Sequence, residues 1–453
     1  MRGERAIVLT VGVSGMLIPL NSTMIAVALP GITHDLGATV AQAGWLVTVY
    51  LITMASFQPI AGKLGDRYGR RPFILGGVAG FVVASVGCAL APNIAMLIVS
   101  RAVQAAFGAV IFPNGAALLR ELIPESRRGA MFGMLGASVA LGAAIGPPLG
   151  GGLIQLGGWP AIFWINVPLI AVIFVVGWRT IPARRWREGG VRFDLAGATL
   201  LAAVLACGAW LLTRLGHIST AGALIAAALI AAGSLGFVWT ELRHADPVVQ
   251  LRFFRRVPFT AATGATGLSN LAMYSTLVAI PILLEGRPGW TAARAGIVLT
   301  TLSAGMVLLA PVGGRLGDRL GRRLPALIGM SLLGAGLLLL AVAGASVSVF
   351  TLVGCLGLAG VGLGLGASSL QTVAVEVIEP EHAGMAAAAS STARYVGSVV
   401  GVSVLARLVT SADGFQALFV MTALAAVASA VLALALPRRA AVVEVTHESV
   451  PAA

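Results

Sequence analysis

The fold of this chain is decided by a ten-residue stretch that occurs twice, first as Gly62-Lys63-Leu64-Gly65-Asp66-Arg67-Tyr68-Gly69-Arg70-Arg71 and again as Gly314-Arg315-Leu316-Gly317-Asp318-Arg319-Leu320-Gly321-Arg322-Arg323. The copies begin 252 residues apart and differ only at their second and seventh positions. Each copy separates two long apolar runs. Glycines allow the chain to turn tightly there, and a dense group of arginines needs water around it. The duplication therefore indicates two equivalent halves, each with this turn after its second apolar segment.

The composition places the chain in a lipid bilayer. Hydrophobic residues make up 58% of its 453 residues and charged residues only 10%, against roughly 25% charged in soluble domains. A helix needs about 20 apolar residues to cross the hydrocarbon core, and charges and turns divide the sequence into fourteen such segments. The predicted spans are 7–30, 42–62, two within 72–119, two within 129–178, two within 195–240, 257–284, 295–314, two within 324–375 and two within 383–437.

The basic residues orient the chain in the membrane. If both termini are cytoplasmic, all but six of the 30 Lys and Arg residues lie in cytoplasmic segments, as the positive-inside rule requires. The repeat then defines an N-terminal six-helix bundle, 1–180, and a C-terminal one, 258–437. Residues 181–257 supply cytoplasmic linkers and two inserted spans, and residues 438–453 form a cytoplasmic tail.

Several other classes of protein do not fit the sequence. The net charge is +13, but the basic residues occur in short clusters between apolar runs. They do not form the continuous basic face that binds nucleic acid. The five histidines and three cysteines have no metal-ligand spacing, so no metal site is predicted. The sequence contains no Ser/His/Asp grouping that would indicate an enzyme. It also contains no Walker loop, which an ATP-driven pump would need. We therefore expect no cofactor, and an ion gradient or the solute's own gradient as the energy source.

The repeated stretch closely resembles G-x-L-x-D-R-x-G-R-[RK], the signature loop of the major facilitator superfamily. The matching residues are Gly62, Asp66, Arg67, Gly69, Arg70 and Arg71 in the first copy and Gly314, Asp318, Arg319, Gly321, Arg322 and Arg323 in the second. The resemblance implies an all-α integral membrane protein with the major facilitator fold, in which these residues latch one conformation of the carrier. The residues alone also fit a simple positive-inside stop signal.

The fifth span carries a second pattern. Gly142, Gly146, Pro147, Gly150 and Gly151 match the G-x-x-x-G-P-x-x-G-G pattern associated with drug antiporters of the superfamily. Other stretches, 20–30, 163–168 and 392–397, are similar to its fourteen-helix drug:proton antiporter branch. The resemblance covers nearly the whole chain and implies export. Glycines four residues apart also let a neighbouring helix approach closely, so a packing groove is the alternative.

Candidates for proton coupling are few. Arg101 lies inside the fourth span, where a charge is costly and a functional role is the default interpretation. With Gln104 it is similar to an R-x-x-Q element thought to assist proton transfer in the family, and a structural arginine bonded to backbone carbonyls is the alternative. Many relatives have aspartate where this chain has Asn21, which cannot titrate. Glu285, at the outer end of the ninth span, is then the best embedded carboxylate, although it also fits an exposed pair with Arg287.

By family analogy a central cavity lies between the halves. Its candidate lining residues are Asn21, Thr23, Met24, Phe107, Asn114, Asn270, Tyr274, Ser369, Gln371 and Arg394. A mostly apolar wall with scattered hydrogen-bonding groups suits amphipathic, drug-sized molecules. So few acids favour neutral or weakly charged molecules over permanent cations.

Together these features predict a proton-coupled exporter of drug-like or antibiotic molecules in the bacterial plasma membrane. It is expected to act as a monomer, with the lipid bilayer, protons and a small-molecule substrate as partners. A proton-coupled importer or a facilitator of a specific metabolite is the alternative.

Overall fold

The computed structural model describes residues 2–122, 125–182, 194–215, 218–244, 247–284, 287, 289–344, 347–379, 382–409 and 413–438. Glu285 and all but the first residue of the predicted tail lie outside these ranges, as do the side chains of Asp66 and Arg67. The helices are α1 (Arg2–Asp35), α2 (Val40–Tyr68), α3 (Arg70–Ala89), α4 (Ile94–Leu122), α5 (Glu125–Gly157), α6 (Ala161–Trp164), α7 (Asn166–Thr180), α8 (Leu195–Arg214), α9 (Thr220–Arg243), α10 (Val257–Leu284), α11 (Ala292–Leu320), α12 (Arg323–Ala343), α13 (Val349–Glu376), α14 (Ala383–Leu408) and α15 (Gly414–Ala433). A short 3₁₀ helix, Leu251–Arg255, precedes α10.

Fourteen spans follow from these helices, as predicted. Helices α6 and α7 continue into one another through Ile165, whose N–H donates to the carbonyl of Ala161, and they form one span. Twelve spans in the described residues are long and apolar enough to cross a membrane by those two properties alone. The other two, α5 and α14, are rich in small residues, and both lie where the halves of the molecule meet.

The spans fall into two groups of six that repeat the same arrangement. Helices α1 to α7 form the first half and α10 to α15 the second. The α1–α5 contact has its counterpart in α10–α14, and α2–α4 has its counterpart in α11–α13. Of the two inserted helices, α8 packs on both α2 and α14, whereas α9 packs on α8 and leaves most of its surface uncovered.

The repeated stretch is more helical than the sequence predicted. Span 2 was expected to end near residue 62, yet α2 continues to Tyr68, and α11 likewise continues to Leu320. The turn itself falls on Gly69 and Gly321, with φ of 93° and 86°, which side chains other than glycine rarely adopt. The first charges did not end the helices because they lie beyond the hydrocarbon core, where water solvates them and helical hydrogen bonds persist.

Polar caps set the outer starts of several helices. Thr39 and Gln42 form a reciprocal capping box at the start of α2. Ser219, Thr291 and Ser348 accept hydrogen bonds from the first turns of α9, α11 and α13. These caps satisfy backbone N–H groups that would otherwise lack a partner at the membrane surface.

Candidate translocation site

The two halves meet at their outer ends. Helix α5 packs on α11, α2 on α14 and α1 on α10. A Cβ on Gly296 of α11 would lie 2.3 Å from the carbonyl oxygen of Pro147, and a Cβ on Gly44 of α2 would lie 3.7 Å from the Cβ of Ala406. An apolar gap between α1, α2, α10 and α14 has a volume of ≈ 10 Å³, too small for a solute to pass. The carrier is therefore closed towards the outside.

Side-chain hydrogen bonds between described residues cross from one half to the other at two depths in the membrane. Gln155 donates through Nε2 to Oγ1 of Thr291 at 3.2 Å, at the outer ends of α5 and α11. Deeper in the membrane, the hydroxyls of Ser22 and Tyr274 share a hydrogen bond of 3.0 Å between α1 and α10. Both bonds break when the halves separate, so they stabilise the outward-closed arrangement.

The glycine–proline pattern of α5 lets two neighbouring helices, α1 and α11, pack closely against it. Cβ atoms on Gly142, Gly146 and Gly150 would lie 2.5 Å from Met16 O, 1.8 Å from Thr23 Oγ1 and 3.2 Å from Met24 Cα, all on α1. The other face of the pattern contacts α11 in the opposite half, where a Cβ on Gly151 would lie 2.6 Å from Ala292 O. The pattern thus ties α5 to its own half and to the seam between the halves.

Gly142→Ala will destabilise the folded protein by about 1–3 kcal/mol, the range for overpacking a well-packed interior. The added methyl group would meet backbone atoms of Met16, which cannot rotate away. Gly152→Ala on the same helix is the matched control, because nothing lies within 4 Å of its Cβ position. Thermal unfolding in detergent compares the variants, and equal midpoints would contradict the close α1–α5 contact.

Arg101 lies at the centre of a buried polar network in the first half. Its side chain is fully buried, and its guanidinium lies 4.3 Å from the ring centroid of Tyr50 and 5.8 Å from that of Phe163. Nη1 donates to Gln104, while Nε and Nη2 have no hydrogen-bond partner. A desolvated cation–π contact contributes about 2 kcal/mol, which offsets much of the insertion cost of roughly 2.5–3.5 kcal/mol.

The network continues from Gln104 to Asn21. Gln104 donates to Ser85 Oγ at 2.6 Å, and Asn166 donates to the same oxygen at 3.2 Å. Asn166 and Asn21 exchange amide hydrogen bonds of 2.8 and 2.9 Å, and Asn21 also donates to Leu17 O. The sequence prediction named Arg101, Gln104 and Asn21 but not Ser85 or Asn166. A lone asparagine in the apolar span 163–168 was the one available signal for Asn166.

Tyr274 and Arg394 bring the second half to the same region. Tyr274 lies on α10, which packs on α1 of the first half and on α14, the helix of Arg394 and Tyr395. Arg394 is half-buried on α14, donates to Ser391 Oγ at 3.2 Å, and lies 5.4 Å from the ring centroid of Tyr395. Tyr50, whose ring contacts Arg101, lies on α2, which packs on α14. We call Arg101, Arg394, Tyr50, Tyr274 and Tyr395 the central cluster.

Two predicted lining residues lie instead beneath the repeated turns. Asn114 of α4 donates to Ala61 O and Val110 O, and a Cβ on Gly65 would overlap its side-chain amide. Ser369 of α13 sits 3.0 Å from the Cβ position of Gly317. Both fill the gap left by a glycine near the end of α2 or α11, so they fix helix packing near the cytoplasm rather than line the cavity.

The remaining lining candidates occupy varied positions. Phe107 packs on Gly80 of α3, away from the other half. Thr23 and Met24 are buried against α5. Asn270 is partly buried with its amide bonded to Thr266 O, and Gln371 is exposed near the cytoplasmic end of α13. Of the ten candidates, Asn21, Tyr274 and Arg394 lie in or next to the polar centre.

Charge pairs join the cytoplasmic ends of helices in both halves. In the second half, Arg322 donates to Asp318 at 2.7 Å and to Glu376 at 2.8 and 3.3 Å, and these bonds, chiefly those to Glu376, raise its pKa. In the first half, Arg70 donates to Glu121 at 2.6 Å. The sequence pattern predicted the arginines but not the glutamates at the ends of α4 and α13.

A neighbouring pair lies at the cytoplasmic start of α10. Arg256 donates to Val377 O at 2.6 Å and to the carboxylate of Glu379. A hydrogen bond from its own backbone N–H and the contact with Arg256 lower the pKa of Glu379. This pair joins the start of α10 to the end of α13. Together with the Arg322 bonds, it connects the cytoplasmic ends of the helices in the second half through ion pairs.

The sequence matches the Major Facilitator Superfamily over residues 11–239 and 262–452. The chain belongs to this superfamily. It is 34% identical to the tetracenomycin C resistance and export protein of Streptomyces glaucescens, over 90% of this chain and 76% of that one. It is 32% identical to the multidrug resistance protein Stp of Mycobacterium tuberculosis, over 89% of this chain and 75% of that one. The family and these relatives are transporters, not enzymes.

The fold agrees with that membership. A solved POT family transporter in complex with 5-aminolevulinic acid superposes with a TM-score of 0.66, over 94% of this chain and 95% of that one, at 15% identity. The predicted family, the all-α membrane fold and the multi-pass location in the bacterial plasma membrane are confirmed. Among the residues that the structure describes, no group of three or more His, Cys, Asp or Glu could hold a metal ion.

Proposed function

We propose that this superfamily member is an exporter that takes amphipathic, drug-sized molecules from the cytoplasm and releases them outside. The observation that carries this proposal is the seam between α5 and α11. Through it the glycine–proline pattern of an antiporter helix closes the outer end of the carrier. An exporter must load its substrate from the cytoplasm while its outer end is closed, so this arrangement is one that the proposed direction requires. The printed names of two relatives, a tetracenomycin C export protein and a multidrug resistance protein, favour the same direction.

The proton gradient is the proposed energy source, and no cofactor takes part. Alternating access requires only that the two halves rock about a central site. Both halves and the central cluster belong to one chain, so a monomer suffices for transport. The proton-coupled importer or facilitator of a metabolite remains the second candidate, which the experiment below separates from export.

Export will be detected in inverted membrane vesicles that contain the protein. A fluorescent reporter follows the proton gradient while hydrophobic antibiotics and dyes are added one at a time. A compound that discharges the gradient in vesicles with the wild type, but not in vesicles without the protein, is an exchanged substrate. If no compound of a broad panel discharges it, proton-coupled multidrug export is wrong and the metabolite carrier becomes the better interpretation.

A further inference from the structure

The central cluster contains a buried cation whose hydrogen-bonding capacity is not used up. Arg101 is fully buried, yet Nε and Nη2 have no partner. A buried charge without a counter-ion is unstable, and one deprived of its partners is strongly so. The rings of Tyr50 and Phe163 lie near the guanidinium, but aromatic rings cannot accept two in-plane N–H groups. The unused donors therefore point to an oxygen-bearing group that is not part of the protein.

A second arginine reaches the same region from the opposite half. Arg394 lies on α14, which packs on α10, the helix of Tyr274, and on α2, the helix of Tyr50. The hydroxyl of Tyr274 joins the halves through Ser22, and the ring of Tyr50 contacts the guanidinium of Arg101. Two guanidinium groups and nearby tyrosine hydroxyls create a positive potential in a site of low dielectric constant. Such a site attracts anions and repels cations.

No carboxylate of the described helices lies near the middle of the membrane to neutralise these arginines. The acidic residues within the helices are confined to terminal turns: Glu4, Asp35, Asp66, Glu121, Glu125, Glu241, Asp318 and Glu376. Asn21, the amide of α1 that joins this network, carries no charge and is already bonded to Asn166. The positive charge of the central cluster thus stays uncompensated by the helices that surround it.

We propose that the central cluster binds an anionic group of the transported molecule, a carboxylate or an ionised phenol, through Arg101 and Arg394. This inference rests on the proposed export function and names its substrate class. A guanidinium presents two parallel N–H donors to a carboxylate, which fits the free Nε and Nη2 of Arg101. Because each half contributes one arginine, the anion draws the halves together around it. The interior-negative membrane potential favours the outward movement of an anion, so this charge assists export.

The test compares the binding of three dyes of similar size to the purified full-length protein in nanodiscs. Fluorescein carries negative charge at neutral pH, rhodamine 6G is a permanent cation, and Nile red is neutral. Fluorescence anisotropy gives each dissociation constant for the wild type, Arg101→Gln, Arg394→Gln and Arg101→Lys. Arg407→Gln is the matched control, because Arg407 lies on α14 but donates to Leu215 O at the outer surface, away from the cluster.

We expect the wild type to bind fluorescein at least tenfold more tightly than rhodamine 6G. Arg101→Gln and Arg394→Gln should each weaken fluorescein binding at least tenfold without weakening Nile red binding. Arg101→Lys should retain part of the fluorescein affinity that Arg101→Gln loses, and Arg407→Gln should leave fluorescein binding unchanged. Arg394 is half-buried, so its variant keeps the test decisive if Arg101→Gln fails to fold.

Other outcomes overturn the inference. If the wild type prefers rhodamine 6G or Nile red, the site does not select anions, although the proposed export of drug-like molecules stands. Equal losses for all three dyes in Arg101→Gln and Arg394→Gln would show a merely structural role for the arginines. If none of the dyes binds the wild type, both the anion site and the proposed multidrug function fail.

Discussion

Gly296→Ala will open the outer face of the transporter. The added methyl group would lie 2.3 Å from Pro147 O and 3.3 Å from Pro148 Cα, both backbone atoms of α5, so the helices must move apart. The contact belongs to the outward-closed state, and we expect it to be lost when the outer ends separate, so the substitution should disfavour the closed state. A penalty of about 1–3 kcal/mol shifts the ratio of the two states by roughly five- to 150-fold.

Electron–electron double resonance between spin labels at Leu156 and Phe350 measures this opening as a change in the distance between the labels. Both side chains are exposed, at 87% and 92%, and they lie at outer helix ends in different halves. The distance between the labels should lengthen in Gly296→Ala and stay unchanged in Gly152→Ala, whose Cβ position has open space around it. An unchanged distance distribution in Gly296→Ala would contradict the α5–α11 seam as the outer closure.

Arg322→Gln will lower the thermal stability of the protein. Arg322 is 8% exposed and donates hydrogen bonds both to Asp318 at the end of α11 and to Glu376 at the end of α13. Hydrogen bonds to charged groups contribute about 1.5–3 kcal/mol each when removal leaves a partner unsatisfied. Glu376 is 34% exposed and water replaces part of the loss, so we expect about 1–3 kcal/mol in total.

Arg319→Gln is the matched control for this substitution. It removes the same charge from the same turn, but the Arg319 side chain is exposed. Thermal unfolding in detergent should show a midpoint several degrees lower for Arg322→Gln and nearly unchanged for Arg319→Gln. If both variants lose the same stability, net charge of the turn rather than the Arg322 bonds is what matters.

The spans were predictable from the sequence because lipid leaves the backbone no alternative to the helix. Charge position and turn residues then located the fourteen segments to within a few residues, and the repeat identified the halves. The exact ends were less predictable: Gly62 to Tyr68 were expected to form a loop, but they continue α2. A charge near a membrane surface shows where lipid ends, which is not where the helix ends.

The centre of the carrier was predictable only in part. Arg101 and Asn21 were identifiable because polar groups inside a span are costly, yet their partners were not. Ser85, Asn166 and Tyr274 lie tens of residues or more away in sequence, and nothing in one sequence shows which faces of two helices meet. For the same reason Asn114 was assigned to the cavity, whereas it fills the gap beside Gly65.

The inserted helix α8 makes the two sides of the carrier unequal. It packs on α2 and on α14, which form one seam between the halves. Within the described part of the inserted region, neither α8 nor α9 packs on α5 or α11, which form the other seam. An amphipathic molecule dissolved in the inner leaflet can enter a transporter sideways, between helices, without first passing through water. Here α8 covers the seam between α2 and α14, so we expect a substrate dissolved in the lipid to enter on the side of α5 and α11.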